Sequence, residues 1–592
     1  MKNLTAFSTD TQYASFINSQ NCEWPNVSYV FEHDDVKYDR TLTFKLKSSS
    51  GAISINKIGT ATGNLTANMS YSLDNGGVWN TYTFNGVSGQ QIILSQGQKV
   101  KFKGNNLSRY SYSSTGYYNF AMSGDFIGRG DVTSLINGIG GDAPLPNFAF
   151  YALFSGCTSM LKGPNLPSTT LGNFCYGNMF KWCSGLKEAP ELPATTMTIG
   201  CYYVMFGECT FKKAPKLHPT NMREQSWSSM FQGAKGLTDI SEIVFPDTTA
   251  ERCYHNMFRR TSITEPPILP ATAMSKECYY CMFYESSISK APELPATILE
   301  QACYRAMFYK CYSLTSVTSI LPSTTLSKEC YRSMFGYCSS LTVAPYICAT
   351  TFSTGSCMQM FGACISLTTP PPALFATVYP QSACVNMFYQ CYSLTATPNM
   401  ASATTIQNSG CYQMFFECSS LTNVYGLEGV ETVKEHGCQS MFCFCSALTV
   451  PPQLNAMDLS TQCYYSMFQN TGLITAPELP ATNVPADAYW CMFFGSNHLT
   501  GAPYIASPSN PAATPTRVYQ RMFEGCSNLT YIKAMFTSWP VASNGNSVTG
   551  QWVYSVKSTG TFVANENATF LSSPPRGAAG IPNNWTIQTA SE

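Results

Sequence analysis

A Met-Phe dipeptide recurs along this chain at near-constant intervals, and no other feature limits the possible folds so strongly. The methionine falls at positions 179, 205, 230, 257, 282, 307, 334, 360, 387, 414, 441, 467, 492 and 522. Successive copies lie 25 to 27 residues apart until a last interval of 30. A degenerate copy, Phe148-Ala-Phe-Tyr-Ala-Leu-Phe154, precedes them. A unit this short cannot bury an apolar face alone, so the copies must stack and share one continuous core. The 592-residue chain is therefore expected to grow in one dimension, as a solenoid of about 15 coils.

One copy can be read residue by residue. In Cys330-Tyr-Arg-Ser-Met334-Phe335-Gly-Tyr-Cys338, the residues Cys330, Met334 and Cys338 stand four apart, as do Tyr331 and Phe335. That spacing predicts a short helix with its apolar side inward, and Ser327 is placed to cap its start. Ser340-Leu-Thr-Val-Ala344 then alternates like a short strand, which Pro345 ends because proline lacks an N–H. Most copies turn next through Leu-Pro-Ala-Thr-Thr, as at Leu192–Met197. The expected fold is an α/β repeat with one short parallel strand and one short helix per coil.

The 26 cysteines would ordinarily suggest a disulfide framework. Here twelve precede the Met-Phe pair, from Cys175 to Cys491, and ten follow it at the fourth residue, from Cys157 to Cys526. Residues used once per copy fill interior slots, and free cysteine is a small buried hydrophobe. Paired Cys-x-x-Cys knuckles for zinc do not occur; Cys278-x-x-Cys281 and Cys443-Phe-Cys445 are isolated. No metal and no cofactor are expected.

The flanks differ from the repeats. Residues 1–40 carry β-like pieces, Trp24-Pro-Asn-Val-Ser-Tyr29-Val30 and Val36-Lys-Tyr38, around an acidic turn. They read either as an arm packed on the next domain or as a segment docking to a larger assembly, with Trp24, Tyr29 and Tyr38 as the contact candidates. Residues 41–130 hold short alternating strands and the hairpin turn Asp74-Asn-Gly-Gly77, which points to a small β-sandwich. Arg129-Gly-Asp131 matches a tripeptide that some integrins bind, and reads here as a Gly-rich turn into the first coil. Residues 131–530 form the solenoid. Residues 531–592, with Trp539, Trp552, Phe562, Phe570 and Trp585, are expected to be a β-rich cap over its end.

The pattern Leu-Thr-x-Ala-Pro-x-Leu-Pro followed by Met-Phe-x-x-Cys resembles the BspA-type leucine-rich repeat, in the variety found in gut Bacteroidales and their phages. The closing segments Gly550-Gln-Trp552-Val and Gly580-Ile-Pro-Asn-Asn-Trp585 are similar to the ending of that group. The opening Trp24-Pro-Asn-Val and Val36-Lys-Tyr38 resemble structural proteins of Bacteroides phages, including crAss-like ones. The resemblance implies a surface-recognition role. The N-terminus has no apolar signal segment and no lipoprotein cysteine, a departure that favours a virion over a bacterial envelope.

Composition removes other classes. Only 11% of residues are charged and the net charge is zero, so a basic footprint for nucleic acid is absent. No run of 18 apolar residues is present, so no membrane span is expected. His-Glu-x-x-His, Gly-x-Ser-x-Gly and P-loop patterns are missing, and the five histidines share no repeat position. The expected protein is not an enzyme. Aromatic residues near the Met-Phe pair are the binding candidates: Tyr284, Tyr309, Tyr389, Phe416, Phe444 and Phe494, with Tyr312 and Tyr392 after the second cysteine. The main expectation is a phage fibre or decoration that binds host-surface or gut glycans and holds other virion proteins through its N-terminal region, with self-association as a further expectation. The alternative is a bacterial surface or secreted adhesin, and a capsule depolymerase is the third reading.

Overall fold

The computed structural model describes residues 39–59, 69–104, 110–508, 514–542 and 547–591. Trp24, Tyr29 and Tyr38 lie outside the described residues. From the degenerate copy onward the chain is a solenoid of stacked coils with almost no helix. Among the described residues, helical geometry is confined to Ser134–Asn137 and a 3-10 turn at Thr569–Ser572.

The predicted helix in each coil is not there, and hydrogen bonding explains why. Call the Met of each Met-Phe pair position 0. Around Met334, the amides of Cys330, Arg332, Met334, Gly336 and Cys338 each donate to the carbonyl three residues back. The amides between them, at Glu329, Tyr331, Ser333, Phe335 and Tyr337, donate to Thr354, Ser356, Met358, Met360 and Gly362 of the next coil. Every second amide is therefore exported. An α-helix would keep all of them at home, and helices pack 8–10 Å apart. Here the Phe335 and Phe361 rings of adjacent coils lie 5.5 Å apart, which leaves no room for a helix. Ser327 caps no helix; its hydroxyl donates to the Leu299 carbonyl of the preceding coil.

This arc has a true four-residue period. Glu329, Ser333 and Tyr337 have φ of 55°, 53° and 61°, the sign that a type II turn requires at its third residue. The same positions, −5, −1 and +3, are left-handed in copy after copy, as at Arg252, Asn256 and Arg260. With the period at four, Cys330, Met334 and Cys338 all face inward and are fully buried, as are Tyr331 and Phe335 to within 1%. A helix of 3.6 residues per turn would set Cys338 about 80° round from Cys330, at the edge of the same face.

The phenylalanine at +1 builds the spine of the core. Phe154, Phe180, Phe206, Phe231, Phe258, Phe283 and Phe308 stack face to face at 5.5–5.8 Å, and the column continues to Phe523. The cysteine at +4 does more than fill space. The Sγ of Cys338 donates to the Phe308 carbonyl of the preceding coil at 3.0 Å, and Cys364, Cys391, Cys418, Cys445 and Cys526 repeat the contact. The cysteines before the Met occupy three positions rather than one. Most lie at −4 beside a Tyr at −3, but Cys357, Cys384, Cys411 and Cys438 take the −3 place themselves, and Cys491 sits at the left-handed −1 position.

The opposite flank of each coil is extended. Two-residue parallel strands pair Val378–Tyr379 with Thr405–Ile406, then with Thr432–Val433 and Asp458–Leu459. The predicted strand over Ser340–Ala344 is reduced to a single bridge, Val343 to Thr369.

Before the coils lie two antiparallel sheets. Their strands are β1 (Leu42–Leu46), β2 (Ser50–Gly59), β3 (Met69–Ser72), β4 (Asn80–Thr81), β5 (Phe84–Asn85), β6 (Ser88–Gly89), β7 (Ile92–Ser95), β8 (Lys99–Gly104), β9 (Ser111–Ser113), β10 (Gly116–Ser123) and β11 (Phe126–Arg129). One sheet has the order β11-β1-β8-β3-β4 and the other β7-β2-β10-β9, with β5 and β6 as a separate ribbon. The rings of Phe44 and Phe102 meet Phe120 at 5.5 and 5.4 Å across the two inner faces. Phe154 of the first coil closes on Phe120 at 5.1 Å, so this core continues into the solenoid. β12 (Met160–Lys162), from that coil, adds to β11 in parallel.

The first coil has no earlier coil to supply donors to its carbonyls. The sheets supply them instead: Tyr110 N to Ala149, Phe120 N to Leu153, Ser111 Oγ to Tyr151, and Asn119 Nδ2 to both Ala152 and Ser155. The Arg129-Gly-Asp131 carboxylate is spent here as well. Asp131 is 6% exposed and accepts from Gly141 N and Asn165 Nδ2.

Repetition does not stop at residue 530. The amides of Arg521, Phe523 and Gly525 donate to Gly550, Trp552 and Tyr554, which puts Trp552 at position 0 of a further tier. Gln551 and Ser555 take the left-handed conformation of positions −1 and +3. On the other flank, Gly501–Ile505, Tyr531–Ala534, Thr561–Asn565 and Thr586–Ala590 form one parallel sheet. The segment predicted as a cap is, in its first half, solenoid. Beyond it, the carbonyls of Ala578, Ala579 and Gly580 accept from Val553 N, Thr549 Oγ1 and Trp552 Nε1.

Candidate ligand-binding site

Side chains at −5, −2 and +2 of the arc point away from the core, and each position forms a column along the stack. At −2 the column reads Tyr203, Ser228, His255, Tyr280, Arg305; at +2 it reads Gln232, Arg259, Tyr284, Tyr309. Between these columns lies a recess of about 660 Å³, within the range of ligand pockets. Ser228 has no ring where its neighbours Tyr203 and His255 carry one, and the missing bulk opens the recess.

The walls are flat and cationic. His255 stacks on Tyr280 with centroids 4.8 Å apart and planes 17° from parallel. The Arg259 guanidinium lies 4.5 Å over the Tyr284 ring, and that ring stacks on Tyr309 at 5.2 Å. Arg252 Nε meets the Glu277 carboxylate at 2.6 Å, and Arg305, also 5.3 Å from the Tyr280 ring, meets Glu329 at 2.5 Å. Three guanidinium groups but one carboxylate line the recess. Among the described residues no carboxylate is within ion-pair distance of Arg259.

Titration states follow from burial and neighbours. Burial drives the His255 imidazole down to about 4, against the pull of Glu277, so it is neutral at physiological pH. Its Nδ1 lies 2.8 Å from Asn256 Nδ2. The hydrogen bond from Arg252 holds the Glu277 carboxyl below its usual range. Burial pushes the Cys281 thiol up to about 12, which removes it as a nucleophile. Two polar atoms here lack partners while buried: Asn256 Oδ1 and Arg259 Nε. The arrangement can grip a flat, polar, negatively charged ligand. It shows no nucleophile paired with a base.

Of the aromatic residues nominated from sequence, Tyr284 lines this recess and Tyr309 stacks behind it. Tyr389, Phe416 and Phe444 form a separate outer ladder, with centroids 5.5 and 5.6 Å apart. Phe494 lies under Arg521 at 5.0 Å. Tyr312 and Tyr392 are exposed, Tyr392 beside Glu417. Sequence reading missed His255, Arg259 and Tyr280. No other histidine shares the position of His255; the signal is the −2 column, whose occupants here other than Ser228 are ring-bearing or cationic without being alike. Among the described residues no cluster of His, Cys, Asp and Glu could hold a metal ion.

No protein-family model and no curated protein matches the chain. Solved structures do. A leucine-rich repeat protein from Bacteroides ovatus is 17% identical, with 65% of this chain and 81% of that one covered at a TM-score of 0.29. One from Eubacterium ventriosum is 12% identical, covering 62% and 93% at 0.29. A leucine-rich cell surface protein from Faecalibacterium prausnitzii is 15% identical, covering 66% and 82% at 0.27. The chain is similar to leucine-rich repeat proteins of these bacteria.

Proposed function

We propose that this protein is a non-enzymatic adhesin that works outside the cell and recognises glycans through the outward face of its arcs. The recess walled by the His255–Tyr280 stack and the Arg259–Tyr284 pair carries this reading. Flat rings suit the apolar faces of sugars, while phenol, guanidinium and carboxamide groups suit hydroxyls. A rigid solenoid holds such contacts at fixed spacing, so weak sites add along one chain and between copies. The neutral surface, rich in Ser, Thr, Asn and Tyr, is in keeping with life outside the cell. Among the described residues no helix is long and apolar enough to cross a membrane. A place on a phage virion was expected from residues 1–40, which lie almost wholly outside the described residues, so the surface adhesin is the reading kept.

Binding of the purified chain to an array of bacterial and plant oligosaccharides tests the proposal. Retention of a defined set, lost in a Tyr280→Ala variant with unchanged melting, is the expected result. Sugar release from any retained glycan would instead make the protein a depolymerase.

A further inference from the structure

Resting on the glycan reading above, we infer that the recess around Arg259 selects acidic sugars, with the carboxylate of a uronic-acid-type residue on the guanidinium and its pyranose ring against the His255–Tyr280 stack. Charge accounting points to this class. Arg252 and Arg305 are committed to Glu277 and Glu329, while Arg259 has a ring face beneath it and, among the described residues, no carboxylate within ion-pair distance. One uncompensated cation matches a monoanion such as a carboxylate. A phosphate site would gather several free cations or a nest of backbone amides.

The unpaired atoms point the same way. Arg259 Nε is a buried donor without an acceptor, and Asn256 Oδ1, on a side chain that is 9% exposed, is a buried acceptor without a donor. Leaving such groups unsatisfied is costly. A ligand presenting a carboxylate next to a hydroxyl supplies the acceptor and the donor together. Neutral hexoses lack the carboxylate, and simple anions lack the pyranose ring with its hydroxyls. The recess is also larger than a lone anion needs, at about 660 Å³.

The experiment is calorimetric titration of the full chain with trigalacturonate, with a neutral galactose trisaccharide, and with inorganic phosphate. The expected result is binding of the uronate with clear preference over the neutral sugar, and no competition by phosphate. Arg259→Gln should weaken uronate binding about 10- to 100-fold, the cost of a charged hydrogen bond, and narrow the preference over the neutral sugar. Lys434→Gln, which breaks the Lys434–Asp458 pair outside the recess, should leave both unchanged. Equal binding of acidic and neutral sugars, unaffected by Arg259→Gln, overturns the charge assignment while the glycan reading stands. Binding of neither sugar by a folded chain that does bind array glycans also overturns it. Phosphate competing at the same affinity as uronate overturns the sugar class. Loss of all glycan binding on the array sinks the parent reading.

Discussion

The left-handed residues of the arc are individually unfavourable, since a side chain in that conformation costs about 1–2 kcal/mol. Most positions are nonetheless not glycine, because the exported amide recovers the loss by binding the next coil. Gly156 isolates the conformational term: its φ is 79° and a Cβ there would meet nothing within 4 Å. Gly156→Val should therefore cost about 1–2 kcal/mol by strain alone, read as a lower unfolding midpoint in urea, whereas an unchanged midpoint would deny the strain. The thiol bond from Cys338 to the Phe308 carbonyl gives a second residue-scale test. Cys338→Ser keeps a donor and Cys338→Ala does not, so alanine should be the worse by about 1 kcal/mol. Burial makes these thiols inert, and among the described cysteines Cys348 alone is not buried. Native-state alkylation should mark Cys348 first, which peptide mass mapping would reveal. At this scale the sequence was informative about what is inside: Cys330, Met334 and Cys338 were placed correctly. It was silent about φ, because Glu329, Ser333 and Tyr337 share no side-chain property that announces a left-handed turn.

Elements were less legible than residues. A four-residue period and a 3.6-residue period place the same apolar residues on one face over nine positions, so Cys330–Cys338 fits both. The distinction lay in coil spacing, which is a property of the stack and not of any one copy. The two-sheet region was easier, because alternation in Thr41–Lys47 and Val100–Lys103 belongs to strands alone, and β1 and β8 pair there. What no motif indicated was that this region donates to the first coil. Asn119→Ala removes the donors to Ala152 and Ser155 and should cost about 1–3 kcal/mol. Hydrogen exchange of amides in 148–156 should accelerate more than in any central coil; equal protection would assign the capping to other groups. The recess stayed hidden for a related reason, since Arg259, His255 and Tyr280 come together only once coils are aligned in register.

For the whole molecule, the buried thiols set an alkaline limit. Burial raises Cys183, Cys278, Cys364 and Cys463 to about 12. An unfolded thiol ionises near 8.5. Below that value both states hold the proton and the stability is intact. Above it the unfolded chain sheds protons that the folded chain keeps, so stability falls by about 1.4 kcal/mol per pH unit for each such thiol, until the folded value is reached. With many thiols acting together the loss is steep. Circular dichroism should report cooperative unfolding beginning between about pH 9 and 10; a chain still folded at pH 11 would contradict the burial of the cysteines.

The exported amides of the arc all point toward the C-terminal end, and the carbonyls that receive them all point back. Their dipoles therefore add along the stack, as they do along an α-helix, leaving the N-terminal end electrically negative and the C-terminal end positive. The two ends are answered by opposite chemistry, donors from Tyr110, Ser111, Asn119 and Phe120 at one and acceptors from Ala578 to Gly580 at the other. Neither closure can substitute for the other. Every coil between them, however, offers the same plug and the same socket. Joining Met334 directly to Phe361, which removes 26 residues, leaves both ends matched and should still fold, whereas a cut of half that length would bring plug against plug. A lineage can thus lengthen or shorten this solenoid in whole coils without redesigning its ends.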